Sequence, residues 1–338
     1  MKLSKQLGER KIIEIIQKHI DLMPKLPIPL GDDVSAYDLG NGNLAVLKTD
    51  MLIDKTDMPP KMSLWQAARK AVVMNISDFA AKGIKPLTIL VSLGIPRKLN
   101  TKDNIEEIAK GLNAGAREYN AYIIGGDTSE ASDLVISISL FGTAKKGEVM
   151  LRSGAKHGDI VATTGLFGKT SAGLKILLND VKASRKIQRV LADSVLMPKA
   201  RLKEGLALSQ TRAITAAIDS SDGLAWSLYE IAKASKVGFL INMLPTAEEV
   251  ERFAKDNKLS PLELTLYGGE EYELVLTVNP KLWSQAQNAA KEVGGKLLSI
   301  GKVTTERQVL LEINGEKHTI EARGWEHFKS EAKNRKVL

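Results

Sequence analysis

Acidic residues fall in six short segments where packing gives them little to do. Asp32 and Asp33 follow Gly31 in a turn, and Thr49 and Asp50 interrupt an apolar stretch. Asp78 stands near an expected helix end, one turn after Asn75, and Asp127 follows Gly125-Gly126. Asp219 and Asp222 bracket Ser220-Ser221, and Glu270-Glu271 follow Gly268-Gly269. Carboxylates beside glycines suit hard cations: magnesium takes oxygen ligands and keeps water and phosphate oxygens in its shell. With magnesium between them, aspartates that would repel a nucleotide become a clamp for its phosphates. Asp and Gly are also ordinary turn and cap residues, and each segment alone reads more readily that way. Their joint occurrence, each expected beside a strand or helix end, favours chemistry.

Other chemistries are removed by composition. The chain has no cysteine, which excludes disulfides, zinc-thiolate sites and thiol nucleophiles. Four histidines in 338 residues leave little for a histidine metal site or a catalytic triad. Gly165-Leu166-Phe167-Gly168-Lys169-Thr170 imitates a P-loop. A P-loop needs four residues between its glycines, and here there are two, with Thr163 where the first glycine belongs. The segment reads as a glycine turn, near phosphate at most. No Gly-x-Gly-x-x-Gly follows a strand, so a dinucleotide fold is unsupported.

The elements that must position these residues follow from periodicity. Residues 3–20 predict an amphipathic helix with Leu3, Leu7, Ile12, Ile13 and Ile16 on one side. Two strands flank the turn signal Asn41-Gly42, the second over 44–53. Ser63 opens a helix through Ala81, with Gly83 as its C-cap. A strand over 87–95, a helix over 102–119, a strand with a glycine turn over 121–126 and a half-buried strand over 133–144 complete the first half. The second half predicts a strand in DIVATTG, a helix from about Ser171, then a long helical stretch to about residue 209, a strand in TAAIDSSDG leading into the helix LAWSLYEIAKAS, and a strand in GGEEYELVLTV. The expectation is two mixed-sheet α/β domains, 1–148 and 149–338.

Hydrophobic residues at 43% and charged residues at 26% are an ordinary globular balance with enough apolar material for a core. No apolar run approaches the ~20 residues of a membrane span, and the charged N-terminus lacks a signal-peptide pattern. A cytoplasmic enzyme without membrane partners is expected. The net charge of +8 is dispersed, and with aromatics at 5% it reads as a solvated surface rather than a nucleic-acid interface.

Taken in order, GDDVSAY, KTDMLID, NISDFAAKG, IIGGDTSE, LRSGAKHGD, DSSDGLA and GGEEYEL resemble the thiamine-monophosphate kinase family, over about residues 28–328. That family shares a superfamily with aminoimidazole ribonucleotide synthetase. The resemblance implies ATP bound without a P-loop in a cleft between the two domains, and an N-terminal sheet that pairs in a homodimer. It implies Asp33, Thr49, Asp50, Asp78, Asp127, Asp219 and Asp222 as ligands of several magnesium ions, with no acid–base residue needed. Gly126, Asp127, Arg152 and Ser221 would hold the nucleotide, Arg152 by the planar fork that suits phosphate. Asp57, Glu270 and Trp325 would bind the second substrate, Trp325 stacking on the cationic rings of thiamine. Read from the residues alone, Arg152 is equally a surface ion-pair arginine and Trp325 a C-terminal core residue.

The sequence departs from the family pattern at Lys48, where a small hydroxyl residue is usual, at Asp57, where bacterial members often carry histidine, and at Glu271, one carbon longer than the usual aspartate. The activity implied is transfer of the ATP γ-phosphoryl group to thiamine monophosphate, giving thiamine diphosphate. Aminoimidazole ribonucleotide synthesis and non-catalytic nucleotide binding are the rival readings. GGEEYEL weighs against the first, and retention of Glu270 and Trp325 against the second.

Overall fold

The computed structural model describes residues 7–328. Leu3, expected on the first helix, lies outside them. The first half contributes α1 (Glu9–Gln17), β1 (Ser35–Gly40), β2 (Asn43–Ile53), α2 (Asp54–Asp57), α3 (Leu64–Lys82), β3 (Pro86–Ile95), α4 (Lys102–Glu118), β4 (Tyr122–Glu130) and β5 (Val135–Lys145). The second contributes β6 (Ile160–Thr163), α5 (Lys169–Asn179), α6 (Arg185–Leu196), α7 (Leu202–Thr211), β7 (Ile214–Asp219), α8 (Leu224–Ser235) and β8 (Gly238–Ile241). It continues through α9 (Glu248–Asn257), α10 (Pro261–Tyr267), β9 (Leu274–Val278), α11 (Trp283–Glu292), β10 (Leu298–Thr304), β11 (Val309–Ile313) and β12 (Glu316–Thr319). The strands form two mixed sheets, β1-β2-β5-β3-β4 and β12-β11-β8-β10-β6-β9-β7.

Helix α3 is the element both sheets share. Its run LWQAARKAVVMNISDFAAK is apolar almost all round, the pattern of a helix buried on every side. Its core extends from Ile89, Ile136 and Ile138 of the first sheet to Leu274 and Leu276 of the second. Ser63 accepts from the Gln66 N–H while Gln66 reaches back to the Ser63 N–H, a complete capping box. Gly83 ends the helix in the left-handed region at φ 67°. Charged residues in such a helix are buried with it: Lys70, Asp78 and Lys82 all lie inside.

Two sequence expectations are corrected. Residues 121–126 do not end in a glycine turn. β4 runs straight through Gly125-Gly126 to Glu130, parallel to β3. The glycines serve close strand approach, since a Cβ on Gly126 would lie 1.8 Å from the Val91 carbonyl oxygen. Asp127 is therefore mid-strand, as Asp50 is in β2. The long helical stretch expected after the Ser171 helix, to about residue 209, is two helices. Asp180 takes φ 51° after α5, and Pro198 separates α6 from α7.

Candidate active site

Three elements converge on the cleft floor. The turn before β1 brings Asp33, α3 brings Asp78, and the last residue of β7 is Asp219. Each offers a carboxylate oxygen within 4.8 Å of the others, and all three are buried. Asp219 Oδ2 accepts from the Ser77 hydroxyl at 2.7 Å. Burial, then the charge of Asp33, pushes the Asp219 carboxyl up to about 6. Burial and the neighbouring carboxylates also hold Asp78 well above the usual range, against the pull of Lys48. Asp33 goes the other way. Burial alone would raise it, but Lys82 and Arg152 outweigh burial and keep it ionised.

The cluster carries its own cations. Lys82 Nζ, fully buried, lies 2.6 Å from Asp32 Oδ1, 2.8 Å from Asp33 Oδ2 and 2.8 Å from the Ala217 carbonyl that accepts from it. Arg152 grips Asp33 with two nitrogens, Nε at 2.7 Å, and donates to the Gly31 carbonyl at 2.8 Å. Lys48 Nζ sits 3.0 Å from Asp78 and 3.6 Å from Asp50. Sequence reading missed Lys70 and Lys82. The signal was available: a lysine inside a helix apolar on every side must be paired.

Two cavities flank one strand-to-helix turn. The larger, about 680 Å³, is lined by Arg152, Asp219, Ser221, Asp222 and Trp226, with α1 across it. Arg10 of α1 lies over the Trp226 ring at 3.7 Å and pairs with Glu230. Burial, then Glu9, pushes the Asp222 carboxyl up to about 7. The smaller cavity, about 210 Å³, is lined by Asp57, Met58, Leu174, Glu270 and Trp325. The turn is the wall between them. Ser221 O accepts from the Glu270 N–H at 2.6 Å, and Asp222 O from the Trp325 N–H at 3.1 Å. Lys70 ties this side to α3, donating to the Asp57 carbonyl at 2.9 Å and pairing with the Glu270 carboxylate. Glu270 at φ 65° and Tyr272 at φ 52° occupy the left-handed region, backbone strain of the kind concentrated at functional sites.

Sequence-expected residues thus divide by place. Asp33, Asp78 and Asp219 meet, and Asp50 joins them through Lys48. Arg152, Ser221 and Asp222 share one cavity, and Asp57, Glu270 and Trp325 the other. Gly126, Asp127 and the Thr49 hydroxyl are elsewhere. Thr49 Oγ1 donates to the Ile138 carbonyl at 3.0 Å on the outer face of the first sheet. Register puts Asp127 on that same face, in line with Ser92, Ser137 and Met51. Three strand spacings separate it from β2, roughly 14 Å.

The P-loop-like segment is not a phosphate site here. Thr170 N–H, at the start of α5, donates to Glu271 Oε1 at 3.1 Å, and the Thr170 hydroxyl donates to the Gly269 carbonyl at 2.6 Å. A carboxylate of the protein already fills the helix N-terminus. Glu271 therefore clamps α5 to the Glu270 loop.

Residues 31–144 match the AIR synthase related protein N-terminal domain, and residues 156–313 its C-terminal domain. A thiamine-monophosphate kinase of Nitrosopumilus maritimus is 38% identical over 324 residues, 96% of this chain and 99% of that protein. One from Pyrococcus abyssi is 35% identical, covering 95% and 96%. The solved structure described as AaThiL complexed with AMPPCP and TMP superposes with a TM-score of 0.84 at 26% identity, covering 97% of this chain and 100% of that one. Matched along nearly its whole length, the chain belongs to the AIR synthase-related superfamily and, within it, to the thiamine-monophosphate kinase family.

Proposed function

We propose that the protein transfers the γ-phosphoryl group of ATP to the phosphate of thiamine monophosphate, giving thiamine diphosphate and ADP. The observation that carries this reading is the wall between two cavities. Ser221 and Asp222 line the larger one and hold the backbone of Glu270 and Trp325, which line the smaller one, with their carbonyls. ATP fits the larger, where Arg152 and Ser221 offer donors to its phosphates. Thiamine monophosphate fits the smaller, with Trp325 beside its rings and the carboxylates of Asp57 and Glu270 matching its positive charge. The solved structure described as AaThiL complexed with AMPPCP and TMP supports ATP and thiamine monophosphate as the two substrates.

Three converging carboxylate oxygens form a hard donor set of the kind magnesium takes. Asp33, Asp78 and Asp219 would hold such ions, with Asp222 on the nucleotide side, while Asp50 is paired with Lys48. Bound there, magnesium supplies charge neutralisation for the transferring group. The attacking phosphate oxygen is already ionised at neutral pH, so the protein's task is in-line positioning rather than proton removal. Among the described residues no histidine lines either cavity.

A homodimer completes the reading. Tyr37, Leu39, Leu47, Met51 and Leu90 expose a contiguous apolar outer face on the first sheet. Asp127 and the Thr49 hydroxyl share that face, so a role for them at a nucleotide requires a second copy, whereas Gly126 falls in the inner-face row of Val91, Ile138 and Asp50. We take 1–148 and 149–338 as the two domains, divided in the connection between β5 and β6. Among the described residues no helix is long and apolar enough to cross a membrane, in keeping with a cytoplasmic enzyme. The test is incubation with ATP, magnesium and thiamine monophosphate. Thiamine diphosphate is the expected product, and its absence alongside turnover of aminoimidazole precursors would reverse the assignment.

A further inference from the structure

Lys48 and Lys82 both point cations into the same acidic cluster, but they are spent differently. An ammonium has three N–H donors. Lys82 uses its donors on Asp32, Asp33 and the Ala217 carbonyl, with its side chain fully sealed. Lys48 meets two carboxylates, Asp78 at 3.0 Å and Asp50 at 3.6 Å, and these are its partners among the described residues. Its side chain keeps 18% exposure, where that of Lys82 keeps none. Lys48 and Asp50 lie two residues apart on the same face of β2, which fixes one to the other through the backbone.

A positive charge bridging two carboxylate oxygens is what a divalent ion would be in this position. We propose that Lys48 is a fixed cation of the phosphoryl-transfer centre: it excludes a divalent ion from the position between Asp50 and Asp78, and it presents its remaining N–H to an anionic phosphoryl oxygen. The protein thereby supplies one charge of the clamp itself, as a compact point charge on a flexible stem. Metal binding is left to the Asp33, Asp78 and Asp219 oxygens. The inference rests on the kinase reading for the identity of the phosphoryl oxygen, but its central claim is a count of ions.

The test counts Mn²⁺ bound per chain of the full-length protein, without nucleotide, by electron paramagnetic resonance. Wild type is compared with Lys48→Ser, Lys48→Met and Lys48→Arg. Lys48→Ser and Lys48→Met should each bind one more ion than wild type, and Lys48→Arg the same number as wild type. With saturating Mg²⁺, Lys48→Met should lose at least tenfold in kcat, and Lys48→Arg should recover part of it. Equal Mn²⁺ counts across all four proteins would overturn the proposal. So would loss of the fold in both Lys48→Ser and Lys48→Met by circular dichroism, which would make the lysine a structural ion-pair partner. The count needs no turnover. Failure of wild type to phosphorylate thiamine monophosphate would therefore sink the kinase reading separately.

Discussion

Asp78→Asn separates a carboxylate kept for ligands from one kept for the fold. Asp78 lies 3.0 Å from the Lys48 ammonium, an attraction of about 5.5 kcal/mol at an effective dielectric of 20. It also lies within 4.8 Å of Asp33 and Asp219, each a repulsion of at least about 3.5 kcal/mol on the same scale. Lys82 and Arg152 offset much of the Asp33 share. The terms nearly cancel, and desolvation then works against the charge. In metal-free buffer, Asp78→Asn should change unfolding stability by no more than about 2 kcal/mol in either direction. Magnesium at a hundred times its dissociation constant stabilises a binding-competent fold by about 2.7 kcal/mol, and the variant should lose most of that increment. Its kcat should fall at least a hundredfold, as when one charge-stabilising group is removed. Urea titrations in EDTA and in excess Mg²⁺ read both quantities. A loss above about 4 kcal/mol in EDTA, the cost of breaking a buried ion pair, would refute the reasoning, as would a retained magnesium increment.

Glu270→Gln removes the carboxylate facing the smaller cavity while leaving an acceptor for Lys70. The KM for thiamine monophosphate should rise about 10- to 100-fold, the range of one charge-assisted hydrogen bond, with the KM for ATP little changed in steady-state assays. Lys82→Met strips Asp32 and Asp33 of a sealed partner and should cost about 3–5 kcal/mol by urea denaturation, whether or not magnesium is present. The pH dependence has a defined sign. The Asp219 and Asp222 carboxyls are raised to about 6 and about 7 in the fold, so the native state binds more protons than the unfolded one. Metal-free stability should therefore fall as pH rises from about 4 to 7, by up to about 1.4 kcal/mol per pH unit per group. Asp219→Asn should flatten the lower part of that slope in EDTA. Leu47→Glu, on the exposed outer face, should shift the sedimentation of a dimer to that of a monomer.

Local chemistry was legible wherever it is decided locally. Asn41-Gly42 fixed the β1–β2 hairpin, Ser63 and Gly83 bounded α3, and the alternation of Ile136, Ile138 and Leu140 gave β5 its buried face. Gly125-Gly126 misled because glycine marks both a turn and a close approach, and only the Val91 carbonyl on the neighbouring strand decides between them. The long helical stretch to about residue 209 misled because apolar spacing persists across α6 and α7 although the chain turns at Pro198. In the site, glycine-flanked carboxylates located the acidic cluster. The face each presents depends on sheet register. Thr49 and Asp50 are adjacent in sequence, yet Thr49 turns to the outer face while Asp50 stays with Lys48.

The positive charges of the cleft also explain why an acidic site can exist before any substrate arrives. Buried carboxylates this close together would protonate or open the fold unless something neutralised them. Asp33 is neutralised twice, by Lys82 from beneath and by Arg152 from the cavity side. The two partners differ in freedom. Lys82 is sealed and also holds the Ala217 carbonyl, so it stays. Arg152 retains 23% side-chain exposure, lines the larger cavity and is also within 3.8 Å of Glu230. An arriving phosphate competes for the same fork of N–H donors that now grips Asp33. Arg152, which neutralises Asp33 from the cavity side, would be the group a phosphate draws on, and Lys82 the one that keeps Asp33 paired.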